Sequence, residues 1–134
     1  MTDILSQDDF LAAVRFDGQG LVPAIAQSAA TGEVLMMAWM NEEAVTETLK
    51  TGRVCYFSRS RGTLWRKGES SGQSQALKRL LVDCDGDTLL LEVDQQGVAC
   101  HTGHRSCFYS AAGEQGLVEV APVLKTPEEL YGHE

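Results

Sequence analysis

What this sequence is short of narrows its reading first. No apolar run approaches the ~20 residues of a membrane span, so no such span is expected. The stretch from Met1 to Phe10 is acidic and lacks the basic start and apolar core of a secretory signal. A cytoplasmic protein with reduced thiols is therefore expected. Cations are outnumbered: 11 Lys and Arg stand against 19 Asp and Glu, a net charge of −8 that argues against nucleic acid as a partner. Four cysteines occur, but none at the paired CxxC spacing of a structural zinc ribbon. In a reducing compartment they point to metal or catalysis, not to a disulfide framework. Low-complexity tracts, linkers and internal repeats are absent, so residues 1–134 are expected to form a single domain. A chain of this length buries roughly two-thirds of its unfolded surface, enough for a real core.

The residues that remain are concentrated. Cys84, Cys100 and Cys107, with His101 and His104, fall within 24 residues. Asp83, Asp85 and Asp87 alternate around Cys84. Thiolate and imidazole suit zinc, and carboxylates suit magnesium. Three protein ligands with an open position are the pattern of a catalytic zinc. The two histidines are candidates for ligation or for moving protons. If the Asp83–Asp87 segment is extended, its carboxylates share one face and Cys84 points to the other. Two sites would follow, or Cys84 would reach a second subunit. An EF-hand is excluded, because the sixth position from Asp83 is Thr88 and the twelfth is Asp94. Cys55 lies in the apolar run Val54-Cys55-Tyr56-Phe57 and reads as a small buried hydrophobe.

Charge is unevenly spread. Eight of the 11 cations lie between Lys50 and Arg79, opposed there only by Glu69, so that window carries +7 and the remainder −15. Such a field suits a small anion, and phosphate is the common biological one. Within it, Gly68 and Gly72 allow close backbone approach, Ser70 and Ser71 donate hydrogen bonds, and Trp65 offers a stacking face.

Local patterns predict an α+β fold with a largely antiparallel β-sheet and a few short helices. Ser6 caps a helix to Phe16. Leu21 to Ala26 reads as a strand that Pro23 places near an edge. Val34 to Met40 reads as a buried strand. Asn41 caps a helix that ends at Gly52. Val54 to Ser58 is a third strand, and Arg59 to Ser74 a loop. Ala76 to Cys84 and Thr88 to Val93 form a hairpin about Asp85-Gly86. Cys107 to Ser110 and Leu117 to Val120 are short strands, and Thr126-Pro127-Glu128-Glu129 starts a capped helix.

Three segments taken in order are specific. Trp65-Arg66-Lys67-Gly68-Glu69-Ser70-Ser71-Gly72, Asp83-Cys84-Asp85-Gly86-Asp87 and Cys100-His101-Thr102-Gly103-His104-Arg105-Ser106-Cys107-Phe108 resemble the phosphoribosyl-AMP cyclohydrolase family of histidine biosynthesis. Pro23-Ala24-Ile25-Ala26-Gln27 and Met36-Met37-Ala38-Trp39-Met40-Asn41 are similar to it as well. The resemblance implies zinc on Cys84, Cys100 and Cys107, with Cys84 given by the other subunit of an intertwined homodimer. It implies magnesium on Asp83, Asp85 and Asp87. The family reaction hydrolyses the N1–C6 bond of the adenine ring of phosphoribosyl-AMP. On that chemistry, zinc-activated water attacks C6 and a proton delivered to N1 opens the ring. His104 is the first candidate for that proton and His101 the second. Trp65, Arg66, Lys67, Ser70, Ser71 and Arg105 are the candidates for holding the phosphorylated nucleotide. The rival readings are a zinc purine deaminase, whose H-x-E and P-C-x-x-C signatures are missing here, and a zinc-stabilised binding module.

Overall fold

The computed structural model describes residues 7–69, 71–126 and 128–129. Ser6, Ser70 and Pro127, each given a role above, lie outside them. Among the described residues, two helices, a six-stranded sheet and a separate hairpin make up the fold. Helix α1 (Gln7–Ala13) is shorter than expected, because the chain turns away at Val14 to let Arg15 N donate to Gly86 O at 2.6 Å.

Strand β1 (Val22–Ser28) is interior, flanked by β2 (Val34–Met40) and β6 (Leu89–Gln95). The expected edge position is thus corrected. Pro23 is tolerated because the ladder to β6 begins only at Ala24, so the missing N–H falls at the strand's start. Alternate residues of β1 (Val22, Ala24, Ala26) and of β6 (Leu89, Leu91, Val93) are buried in one core.

Helix α2 (Glu42–Thr51) is bounded as its sequence predicts. The Asn41 side chain accepts from Ala44 N at 2.8 Å, and Gly52 N donates back to Thr48 O at 2.9 Å. Buried Thr48 accepts from Cys55 N at 2.9 Å and so fastens the helix to β3 (Cys55–Ser58).

The expected loop from Arg59 to Ser74 contains a strand, β4 (Thr63–Arg66), paired antiparallel with β3. Gly62 N closes the reversal on Ser58 O at 2.8 Å, and Leu64 and Trp65 pack on the core. Strand β5 (Gln75–Val82) pairs with β6 as the anticipated hairpin. The sheet order is β4-β3-β2-β1-β6-β5, antiparallel throughout except for β1 with β6. The sheet also curls: Arg53 bridges Ala76, and buried Tyr56 Oη donates to Gln75 Oε1 at 2.7 Å.

Cys107 to Phe108 is not strand. Ser106 Oγ bonds Val34 O and accepts from Phe108 N, and these side-chain bonds replace a ladder. The last hairpin is β7 (Ser110–Gly113) with β8 (Gly116–Glu119), every residue of β8 being exposed. Thr126 and Glu129 cap one another, Thr126 N to Glu129 Oε1 at 3.0 Å and Glu129 N to Thr126 Oγ1 at 3.2 Å. Among the described residues, no helix is long and apolar enough to cross a membrane.

Candidate functional site

The candidate ligands fall at the two ends of β6. At its start lies the β5–β6 turn, which is not extended. Gly86 N donates to Asp83 O, Asp83 N to Thr88 O, and Asp87 N to Asp83 Oδ1, each at 3.0 Å. Gly86 has φ 78°, and a Cβ there would sit 2.5 Å from Ala13 O. The turn, instead of strand alternation, gathers one oxygen each of Asp83, Asp85 and Asp87 within 4.8 Å of one another, all exposed. The Asp87 carboxyl is held above its ordinary value, first by hydrogen bonding with Asp83, then by the charge of Asp83 and, further down, that of Asp85. A divalent cation would relieve that repulsion. Cys84 is exposed beside the cluster, its Sγ 3.9 Å from Asp85 Oδ1.

Beyond the far end of β6, the chain turns tightly. Cys100 N donates to His104 O at 3.2 Å and Gly103 N to Cys100 O at 3.0 Å. Gly103 has φ 91°, and a Cβ there would land on the Lys125 carbonyl. Cys107 N donates to Leu35 O at 2.7 Å, which returns the chain to the start of β2 and brings Cys107 to Cys100. Partial burial of the sulfur, then the Cys100 thiol beside it, pushes the Cys107 thiol up to about 12, although the residue keeps an exposed face. The Lys67 ammonium lies close by, donating to Ala99 O at 2.7 Å. Its burial lowers its pKa, and the Cys107 and Cys100 sulfurs oppose that shift. Seven-residue β6 spans about 20 Å. Cys84 at one end therefore does not join Cys100 and Cys107 within one chain.

His104 is buried. Its ring stacks on Tyr109 at 3.5 Å and 6°. Nδ1 is 2.7 Å from Thr102 Oγ1, Nε2 is paired with Glu119 Oε1, and Thr102 Oγ1 donates to Cys100 Sγ at 2.9 Å. Both nitrogens are thus engaged by protein. His101 is exposed and lines a cleft of about 420 Å³ with Arg61, Trp65, Arg66, Lys67 and Ser71. The expected nucleotide-binding segment therefore does form one wall of a hollow next to the thiols. Arg66 is already held by Glu47 through two bonds of 2.8 Å. Arg105 lies elsewhere, 2.6 Å from Glu33, and does not line the cleft. A larger hollow of about 540 Å³ over α2 is lined by Glu42, Glu43 and Glu47 against one cation, Lys50, and this net negative wall does not suit an anion. Sequence reading missed Arg61, Thr102, Tyr109 and Glu119. The excess of cations hinted at Arg61, but nothing local marks Glu119, fifteen residues from the ring it touches.

The sequence profile of the family described as phosphoribosyl-AMP cyclohydrolase matches residues 36–109. A protein of that name from Paramagnetospirillum magneticum is 71% identical over 121 residues, covering 90% of this chain and 92% of its own. One from Rhodospirillum rubrum is 65% identical, covering 92% of this chain and 87% of its own. One from Granulibacter bethesdensis is also 65% identical, with 92% and 98% covered. The matched stretch contains the basic cleft wall, the aspartate turn and the thiol loop, and by that match the chain belongs to the phosphoribosyl-AMP cyclohydrolase family.

Proposed function

We propose that this chain hydrolyses phosphoribosyl-AMP at the N1–C6 bond of its adenine ring, a step of histidine biosynthesis. The observation that carries the reading is one juxtaposition inside the family-matched stretch: a cleft walled by Arg61, Trp65, Lys67 and His101 opens beside the Cys100 and Cys107 sulfurs.

The donor set fits zinc. Cys100 and Cys107 offer two soft sulfurs side by side, and Cys84 is a third exposed thiol. Since one chain holds Cys84 at the other end of β6, a second copy supplies it, and the protein works as a homodimer. Exposed apolar side chains support a covered surface: Leu117 is 82% exposed, Val120 61% and Phe108 59%. Magnesium suits Asp83, Asp85 and Asp87, which offer hard oxygens from one turn. Zinc bound to these thiolates supplies the Lewis acidity that makes water a competent nucleophile near neutral pH.

The chain's own residues do the remaining work. Lys67 and Arg61 neutralise phosphate, and Lys67 does so from a desolvated position where its charge acts strongly. Trp65, whose ring lies 5.4 Å from Tyr56, presents an aromatic wall to the base. His101 delivers the proton that N1 needs to leave, because it stands in the cleft while both nitrogens of His104 are engaged. The test is a ring-opening assay on phosphoribosyl-AMP with metal analysis of the same samples. Wild type should open the ring, and Cys84→Ser and Cys107→Ser should lose zinc and activity together. His101→Ala should keep zinc and lose about 10²–10⁴ in turnover. A deaminated product, or zinc-loaded protein that leaves the ring closed, would overturn the reading.

A further inference from the structure

Glu119, the last residue of the β7–β8 hairpin, reaches its side chain into the thiol loop. Its carboxylate accepts from His104 Nε2, although its side chain is 56% exposed and that of His104 is 5% exposed. From the other ring nitrogen, contact passes at 2.7 Å to Thr102 Oγ1, and from that hydroxyl at 2.9 Å to Cys100 Sγ. The order of donors follows from which ring nitrogens of His104 carry protons. Thr102 has one O–H, and donating it to sulfur leaves its oxygen to accept from Nδ1. The carboxylate can only accept, so Nε2 donates to it. With both ring nitrogens protonated, every member of the chain is satisfied, and its direction runs from the ring outward to sulfur on one side and to carboxylate on the other. Tyr109 stacks flat on the imidazole and prevents it from swinging out. Val120 N, next to Glu119, donates to Tyr109 O at 2.8 Å and holds the hairpin against the same ring.

We propose that Glu119 and Thr102 are positioning residues that act through His104: the chain Glu119–His104–Thr102 orients the Cys100 sulfur as a metal ligand. The inference rests on the zinc reading above and adds that the sulfur's direction is held by a hydrogen-bond relay from a hairpin outside the main sheet. It also gives buried His104 a task other than proton transfer. Partners of this kind fix a ligand's orientation, and their loss typically lowers metal affinity about 10–100-fold.

The test uses the full-length protein as wild type, Glu119→Ala, Glu119→Gln and Thr102→Val. Glu114→Ala, in the β7–β8 turn, is the control. Zinc affinity is measured by competition with a chromophoric chelator. The cobalt(II) form is examined for its thiolate charge-transfer band. In metal-free protein, the rate of Cys100 alkylation by iodoacetamide is followed by peptide mapping, with Cys84 as internal reference. Glu119→Ala and Thr102→Val should weaken zinc binding about 10–100-fold. They should also shift the cobalt band and change Cys100 alkylation severalfold at unchanged Cys84 rate. Glu119→Gln keeps an oxygen that can accept from Nε2 and should recover most of the loss, while Glu114→Ala should match wild type. Wild-type zinc affinity and cobalt band in both Glu119→Ala and Thr102→Val would overturn the relay. Should wild type itself bind no zinc, the function proposed above fails. Alkylation then judges the relay alone: an unchanged Cys100 rate overturns it, and a changed rate with rescue by Glu119→Gln upholds it.

Discussion

Arg66 and Lys67 are neighbours in the chain but stand in opposite electrostatic settings. Arg66 is half exposed and clamped by Glu47, which already neutralises it. Lys67 is partly desolvated beside two sulfurs, without a carboxylate partner among its hydrogen bonds. Lys67→Ala is therefore expected to raise the Michaelis constant for phosphoribosyl-AMP well above the rise caused by Arg66→Ala. Steady-state kinetics at low and high salt check this, since exposed charge is screened and buried charge much less. Equal effects would put the two cations on the same footing. Cys55 supplies a second prediction. Burial, then the charge of Glu47, pushes its thiol from 9.0 up to about 11. The folded value lies above the unfolded one, so this contribution to stability is complete below pH 9. It is lost as pH rises toward 11, because the unfolded chain ionises first. Urea unfolding of metal-free protein at pH 8 and pH 10.5 should show a fall to which Cys55 contributes on the order of 2 kcal/mol. Cys55→Ala should flatten that part of the fall. An unchanged slope would mean that the thiol does not sense its burial.

At the scale of elements, the β5–β6 turn is the one whose shape and charge are in conflict. Backbone bonds close it about Gly86, and the segment that follows α1 braces it through Arg15 N. The same closure forces three carboxylates together. Without a cation, removing one of them should relieve repulsion. Asp85→Asn is therefore expected to unfold at an equal or slightly higher temperature in chelator. Added magnesium should raise the melting temperature of wild type in a concentration-dependent way, as any ligand of the folded state does. It should leave Asp85→Asn nearly unmoved. Differential scanning calorimetry across a magnesium series decides the matter, and a parallel rise in both proteins would place the cation elsewhere.

For the whole molecule, the separation of Cys84 from Cys100 and Cys107 by the length of β6 turns a question of ligands into one of assembly. In a dimer with shared sites, inactive Cys84→Ala and inactive Cys100→Ala subunits complement each other. One of the two sites in a mixed dimer then keeps all three thiols. Verified heterodimers should recover up to about half the wild-type activity per dimer, with one zinc per dimer by metal analysis; this follows if sites act independently. No recovery would return both sites to single chains. The exposed apolar side chains of the last hairpin belong to the same question. Leu117→Asp is expected to weaken the dimer in sedimentation velocity, since it places charge where apolar surface would be covered.

What the sequence determined by itself is local. Asn41 and Gly52 bound α2 because caps act within one turn. Asp85-Gly86 placed the hairpin because a turn depends on its own few residues. Three motifs in order named the family. Other features needed the folded chain. Strand β4 lay hidden because its polar, glycine-bearing flanks outweigh the four residues of Thr63–Arg66, which become strand by pairing with β3. The interior place of β1 depends on where β6 begins its ladder, a long-range fact that Pro23 cannot report. Both nitrogens of His104 are engaged because Glu119 arrives from a hairpin fifteen residues on. Distances between residues far apart in sequence are set by how strands pair and where turns return the chain. For that reason the donors could be read from the residues, while their grouping, two thiols at one end of β6 and a third at the other, was decided by tertiary structure alone.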